Sequence, residues 1–395
     1  MLAGATLIAA SVLPSLLIDR WLPSPSHLQI GAYEAAWGAN NGTTQRPIDL
    51  FRRALKGDPA SPYRWSDLAE ALAAAGDIAK SRQAFARSLE LGPSIPQIHM
   101  RYANALFMSG RTDDALLQCA KVLESSDSFD EPIFSSFVRM GGDIDRALRM
   151  GIARNARVAE AFFEFLIPAG RGTAVSVEKT WRWINGISPS NSKRVMLYTN
   201  FLAARKEFAD ASAIWALMPR SPKSSQQAST LLYNGAFQSD PLPTLFDWSI
   251  TPVAGVLLSF DRGVNGGRLL KLEFLGNANL DYHGISQQTW LSPGRYLAAG
   301  ELKTEALSTD QGISLRVVDS RSPAVFDAFS SALVGTHDWT RLAFEAVVPP
   351  PARLVRVEIV RRPSSSFENR IRGTTWIRCI SLTRIDNQPP SRSHY

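Results

Sequence analysis

The chain has 395 residues, 45% of them apolar and 20% charged, a composition that folds and excludes wholesale disorder. Its net charge of +7 is spread along the chain, with Arg preferred to Lys towards the C-terminus; contact with anionic partners is permitted but not implied. The two cysteines, Cys119 and Cys379, lie in different halves, which excludes a disulfide framework without fixing the redox compartment.

Residues 1–18, MLAGATLIAASVLPSLLI, carry no charge and are followed by Asp19, Arg20 and Trp21. Eighteen residues just reach the length that spans hydrocarbon, and Trp21 suits an interface position. The basic start and small-residue cleavage site of a secretory signal are not clear here, and Pro14 interrupts the run. Residues 1–22 therefore read as a transmembrane anchor or an uncleaved signal segment, with a buried first helix as the plainer alternative.

Next come two copies of one pattern. Pro62, Trp65, Leu68, Ala69, Leu72, Gly76, Ser81, Phe85, Leu89 and Pro93 recur as Pro96, His99, Tyr102, Ala103, Leu106, Gly110, Ala115, Cys119, Leu123 and Asp127, an offset of 34. Small residues at Ala69 and Ala103 let paired helices approach, Leu68, Leu72 and Phe85 fill the space between, and the glycines fall at the bend. This resembles tetratricopeptide (TPR) repeats, with Leu72 and Leu106 at the family's Tyr-like positions. Upstream, Phe51, Ala54, Leu55 and Pro59 sit one period before Phe85, Ser88, Leu89 and Pro93, so 47–58 reads as the second helix of a preceding unit. Residues 130–190 keep helical spacing (Ile144, Ala147, Leu148; Ala159, Phe162, Phe163, Leu166) but lose the motif. Tyr198, Leu202, Phe208, Ala211, Trp215 and Pro222 give another unit. The best repeats are 62–95, 96–128 and 192–223. Because one repeat cannot bury its apolar face alone, 28–225 reads as one α-solenoid of five or six helical pairs.

Near residue 228 the texture changes. Pro241, Pro243 and Pro252 precede short alternating runs: Leu269–Phe274, Gln287–Leu291, Arg295–Leu302, Gly312–Val318, Thr340–Val347, Leu354–Val360 and Trp376–Ile385. Such runs, separated by Gly, Pro, Asn and Asp, predict an antiparallel β-sandwich over 230–386, followed by a disordered tail at 387–395. The fold class is thus multidomain α + β: membrane segment, solenoid, sandwich.

The strands also carry a resemblance. Asn234-Gly235-Ala236-Phe237, Phe246, Trp248, Gln288, Leu291, Pro293-Gly294, Tyr296, Gly312, Asp319, Trp339, Phe344 and the closing Gly373, Trp376-Ile377, Ser381-Leu382 follow one another as in the jelly-roll sandwiches of carbohydrate-binding modules. That family often carries structural calcium, but Arg378 and Cys379 stand where its closing strand has an acidic residue, which argues against the ion. An apolar segment, a TPR solenoid and such a sandwich together resemble bacterial envelope proteins found with exopolysaccharide or O-antigen synthesis genes. The resemblance implies a place at the cytoplasmic membrane of a bacterium, with the body in the periplasm.

Sugar binding needs flat aromatic faces with amides and carboxylates beside them. Tyr282, His283, Gln287 and Trp290 form the preferred ligand cluster, Trp290 facing out because it shares one side of a period-two strand with Gln288. Trp248, Trp339 and Trp376 read as core aromatics, Gln288 as a backbone-bonding residue at a strand end, and Asp310-Gln311-Gly312 as a turn. No phosphate-binding glycine loop, nucleotide fingerprint, zinc-protease motif or nucleophile elbow occurs. The five histidines are scattered, His99 at a packed repeat position, and no Cys/His spacing suits a metal. Asp113-Asp114 and Asp143, Asp145 read as helix-start residues. A cluster of Arg353, Arg356, Arg361, Arg362, Arg370, Arg372 and Arg378 alternates with apolar residues, as a solvated sheet face does, and predicts no nucleic-acid partner.

The chain therefore reads as a non-catalytic, membrane-anchored scaffold without cofactor. Its solenoid takes a protein partner, and its sandwich a polysaccharide. The alternatives are a purely structural assembly scaffold and, further off, an enzyme acting on polysaccharide.

Overall fold

The computed structural model describes residues 45–139, 143–153, 155–168, 170–219, 230–263 and 266–385. The apolar segment 1–22, the first part of the solenoid before residue 45, Pro222 and the tail 387–395 lie outside the described residues. Among the described residues no helix is long and apolar enough to cross a membrane. The chain divides into two compact units at Pro189/Ser190.

The described part of the first unit is helical. Helix α1 (Gln45–Gly57) precedes the pairs α2 (Pro62–Ala74) and α3 (Ile78–Leu91), then α4 (Pro96–Met108) and α5 (Thr112–Ser125). They are followed by α6 (Asp130–Arg139) with α7 (Ile144–Arg146), which runs on as a π-helical turn, and by α8 (Ala156–Leu166) with α9 (Ala174–Asn185). Local chemistry sets these boundaries. Ser61 and Asp77 accept the orphan amides of Arg64 and Lys80 at the starts of α2 and α3, and Pro62 occupies the first turn, where its missing N–H costs nothing. Gly76 and Gly110 take the left-handed conformation at the bends (φ 79° and 77°), which a Cβ would disfavour. Ala69 and Phe85 are fully buried in a cluster with Ile48, Phe51, Leu55, Leu68 and Leu72, so the expected close approach of paired helices is realised.

The third pair is shortened: α6 begins at Asp130 and the next pair already at Ala156. The π-helical turn Ala147–Ile152 ends at Ala153 with φ 50°, and Gly151 there lies so close to the Phe137 ring that a Cβ would come within 2.5 Å of it. That compression is why the apolar motif fades after residue 130. Charge carries the period instead. Arg101 binds Asp67 (2.6 Å) and Glu70 (2.7 Å), Arg146 binds Asp113 (2.5 Å), and Lys179 binds Asp145 (2.5 Å). Asp113 and Asp145 thus serve as inter-repeat partners; Asp143 does cap its helix, accepting from the Arg146 amide.

The second unit opens with the helix pair α10 (Ser192–Ala204) and α11 (Phe208–Trp215). Among the described residues ten strands follow: β1 (Ser249–Ile250), β2 (Val256–Arg262), β3 (Arg268–Leu275), β4 (Tyr282–Leu291), β5 (Gly294–Leu307), β6 (Ser314–Asp319), β7 (Asp327–Phe329), β8 (Gly335–Val348), β9 (Arg353–Arg361) and β10 (Arg372–Arg384). They form two antiparallel five-stranded sheets, β1-β4-β9-β6-β7 and β2-β3-β10-β5-β8. Leu270, Leu272, Phe274, Ile285, Leu302, Val355, Val357, Ile359, Ile377 and Leu382 meet between them in one core with Trp248. This is the sandwich that the alternating runs predict. Strands β1, β2 and β7 escape sequence reading. Two are very short, and β2 alternates between exposed and half-buried positions beside the prolines of an apparent linker.

The last helix pair reads as the end of the solenoid, yet it clusters with the sandwich. The reason is aromatic. Trp215 packs edge-on against Tyr233 (4.9 Å between centroids) and stacks on Phe246 (6.3 Å), while Phe208 stacks on Trp290 of β4 (6.4 Å).

Candidate functional site

All four residues of the expected ligand cluster lie on β4, and the fold separates them. Tyr282 is 1% exposed, turned into the core edge-on to Phe274, and burial pushes its phenol above the usual range. Gln287 is also 1% exposed; its amide donates to Tyr233 O (2.8 Å) and accepts from Tyr233 N (2.9 Å). Neither is available to a ligand, which corrects the expectation. Gln287 thereby performs the backbone bonding assigned to its neighbour Gln288. The inner face of β4 runs through Ile285, Gln287, Thr289 and Leu291, leaving Ser286, Gln288 and Trp290 on the outer one. Trp290 does face out, but Phe208 of α11 lies against it. His283 alone is exposed, held between Asp281 (3.0 Å) and Glu358 (3.4 Å).

Around His283 the outer face of the β1-β4-β9-β6-β7 sheet is closed by ion pairs. The Glu358 side chain, 3% exposed, contacts Arg316 (3.1 Å) and Arg356. Arg316 also forks onto Asp327 with two 2.8 Å bonds, and its guanidinium lies over Phe329. Glu358, Arg316, Arg356 and Asp327 thus spend their charges on one another.

The other sheet differs. Trp339 on β8 and Trp376 on β10 are half-buried on its outer face, not in the core with Trp248 as the sequence reading has it. Trp339 has the opposite parity to the inward Leu342, Ala346 and Val348, and Trp376 is flanked by the buried Thr375 and Ile377, so both tryptophans turn outward; beyond Ile377 a bulge before Cys379 shifts the alternation, which is why Ile380 and Leu382 also face in. The signal was legible: Arg341, Ala343 and Glu345 share the parity of Trp339, a side with no apolar run. Because β5 alone separates β8 from β10, the strands that carry them run two strand spacings apart, about 10 Å.

Polar groups surround the pair. Trp376 Nε1 donates to Asp261 (2.9 Å), and Lys271 Nζ sits 5.9 Å from its ring centroid. Arg378 lies 3.9 Å over the Trp339 ring while donating to Glu301 (2.9 Å). Lys303, on β5 opposite Trp376, reaches Asp338 at 3.8 Å, and Arg341 stands opposite Glu301. Lys271 pairs with Glu273 (3.6 Å), Lys303 with Asp338 and Arg378 with Glu301, so the face is rich in donors and acceptors of both signs. Aromatic plates with fixed hydrogen-bonding groups between them suit C–H stacking and hydroxyl recognition.

Among the described residues no group of three or more His, Cys, Asp or Glu is placed to hold a metal ion. Asp310 turns its carboxylate onto Ser364, whose hydrogen bond holds it below the usual range. Asp319 binds Arg353 at 2.6 Å. His99 packs between Gln118 (2.7 Å) and Pro93 O (2.9 Å). Both cysteines are free; burial pushes the Cys119 thiol up to about 12, and burial with the nearby Glu301 raises that of Cys379.

No family model matches the chain, and no curated protein matches it. Solved structures overlap parts of the chain at low identity and low TM-score. The pilF protein of Pseudomonas aeruginosa overlaps 48% of this chain and 87% of its own, at 15% identity and a TM-score of 0.26. The CBM22-1 xylan-binding domain from Paenibacillus barcinonensis Xyn10C overlaps 39% of this chain and 94% of its own, at 13% identity and 0.27. The enzymatically active domain of bacteriophage CBA120 tailspike protein 4 overlaps 40% of this chain but 21% of its own, at 15% identity and 0.28. At scores of this size the fold reading rests on the strand order and register described above.

Proposed function

We propose that this chain is a non-catalytic scaffold whose sandwich binds a polysaccharide and whose helical repeats hold a protein partner. One observation carries the sugar reading: Trp339 and Trp376 stand on one solvent face, two strands apart, among paired charges that offer donors and acceptors. The likeness to envelope proteins supports a finer version. In it residues 1–18 anchor the chain in the cytoplasmic membrane of a bacterium, the body lies in the periplasm, and the polymer belongs to exopolysaccharide biosynthesis or export. The stacked repeats supply the extended surface on which such domains take peptides.

A second reading, an assembly scaffold that binds no sugar, is favoured by the Arg378 guanidinium lying on Trp339, which occupies ring surface a sugar would use. Titration of the full chain with neutral and acidic bacterial polysaccharides separates the two. Saturable binding weakened at least about tenfold by Trp376→Ala or Trp339→Ala, but not by Trp290→Ala, is expected. Absence of binding to every polymer by the folded protein would leave the assembly reading.

A further inference from the structure

The sequence singles out seven arginines near the C-terminus, and the fold sorts them. Arg353 is bound to Asp319, Arg356 to Glu358 and Arg378 to Glu301. Arg361, fully buried, spends its guanidinium on Asn279 Oδ1 (2.8 Å) and on the carbonyls of Leu280 (2.5 Å), Gln311 (3.2 Å) and Asn369 (3.0 Å). The remaining three, Arg362, Arg370 and Arg372, are exposed and form no ion pair with any described residue, although Arg362 lies 4.9 Å over the Phe329 ring. All three flank one segment, the loop between β9 and β10, and its tip is Phe367, 101% exposed.

A free, flexible loop could carry an exposed Phe without consequence. This loop is fixed at both sides of its tip. Ser364 is buried and exchanges two bonds with Asn279 (2.9 and 2.8 Å), and its hydroxyl is held by Asp310. On the far side Arg361 holds Asn369 O, and Ser308 bonds Arg370 O (3.0 Å) and Arg372 N (2.8 Å). The ordering entropy is already spent, yet the ring touches nothing.

We propose that the β9–β10 loop is a contact for an anionic lipid surface: Phe367 enters the interfacial layer while Arg362, Arg370 and Arg372 meet headgroup phosphates. An aromatic ring that stacks on a sugar or a base is normally backed by a supporting surface. Phe367 has none, and a fully projecting ring is satisfied by immersion in a medium with apolar depth. The three cations bring the local attraction that one ring alone lacks. Glu368 is the single acid on the loop; Asp310 is turned onto Ser364 and Asp281 onto His283. This site is separate from the tryptophan face and does not depend on sugar binding.

The test is amide hydrogen exchange of the full chain with vesicles of phosphatidylglycerol and phosphatidylcholine, of phosphatidylcholine alone, and with dextran sulfate. The readout is local, so membrane association through residues 1–18 does not obscure it. Amides of 365–369 are expected to slow at least about threefold with the anionic vesicles only, and to lose that protection in Phe367→Ser and in Arg370→Gln/Arg372→Gln. Unchanged exchange in β10 amides reports that the variants fold. Equal exchange with and without vesicles, equal protection by both vesicle types, protection by dextran sulfate instead, or full protection in Phe367→Ser would each overturn the proposal.

Discussion

The two outer faces of the sandwich are built from similar residues and end in opposite states. On the β1-β4-β9-β6-β7 sheet, Trp290 lies against Phe208 and Glu358 is sealed among Arg316, Arg356 and His283. On the β2-β3-β10-β5-β8 sheet, Trp339 and Trp376 keep solvent access and their ionic neighbours are partly exposed: Arg378 48%, Glu301 37%. Period two tells which side of a strand a residue occupies; it does not tell what covers that side. A helix arriving from elsewhere in the chain covers one outer face and leaves the tryptophans of the other open to solvent.

The sharpest way to break this comparison is to remove one acid from each face. Glu358→Ala should destabilise the protein by about 3 kcal/mol, because it leaves Arg356 without its acid beside Arg316, which keeps only Asp327. Glu301→Ala should cost under about 1 kcal/mol, its pair being solvated. Denaturant midpoints of the two variants check the contrast; equal losses would erase the distinction between the faces. Next in size is Asp319→Asn, expected to cost about 1–2 kcal/mol at neutral pH through its pair with Arg353. Burial alone would raise this carboxyl, but Arg353 and the amides of Arg321 and Ser322 outweigh it and hold it below its usual range. A lowered folded-state value gives stability that is present above the unfolded carboxylate value and lost as pH falls through the folded one. The gap between wild type and Asp319→Asn should therefore close as pH drops below about 4.

The smallest effect lies in the helix pairs. Lys206 sits at the bend between α10 and α11 with φ 66°, the place that Gly76 and Gly110 hold in the earlier pairs. Lys206→Gly should raise stability by about 0.5–1 kcal/mol, read as a shift of the thermal midpoint, since it relieves a left-handed side chain.

Sequence reading recovered what depends on neighbours along the chain and missed what depends on folding partners. The bends at Gly76 and Gly110 and most strands follow from local rules. The outward turn of Trp290 also followed from alternation. Its cover by Phe208 did not, because the two are far apart in sequence. Tyr282 and Gln287 were chosen as sugar-binding types, yet their burial is decided by a bulge between Tyr282 and Ile285 and by the backbone of Tyr233. Trp339 and Trp376 were assigned inward from residue type, although the polar residues sharing the parity of Trp339 argued otherwise.

The inter-repeat ion pairs have a polarity. In Asp67–Arg101, Asp113–Arg146, Asp130–Arg157 and Asp145–Lys179 the acid always belongs to the earlier pair of helices and the base to the later one. Each unit thus offers anions forward and cations backward, like a plug and socket that mate in one orientation. Because Asp67 and Arg101, like Asp145 and Lys179, sit one period apart, acid and base occupy equivalent repeat positions, and a unit copied in frame would set Arg101 against its own copy. Each junction is matched to its two neighbours, and the stack resists both duplication and shuffling.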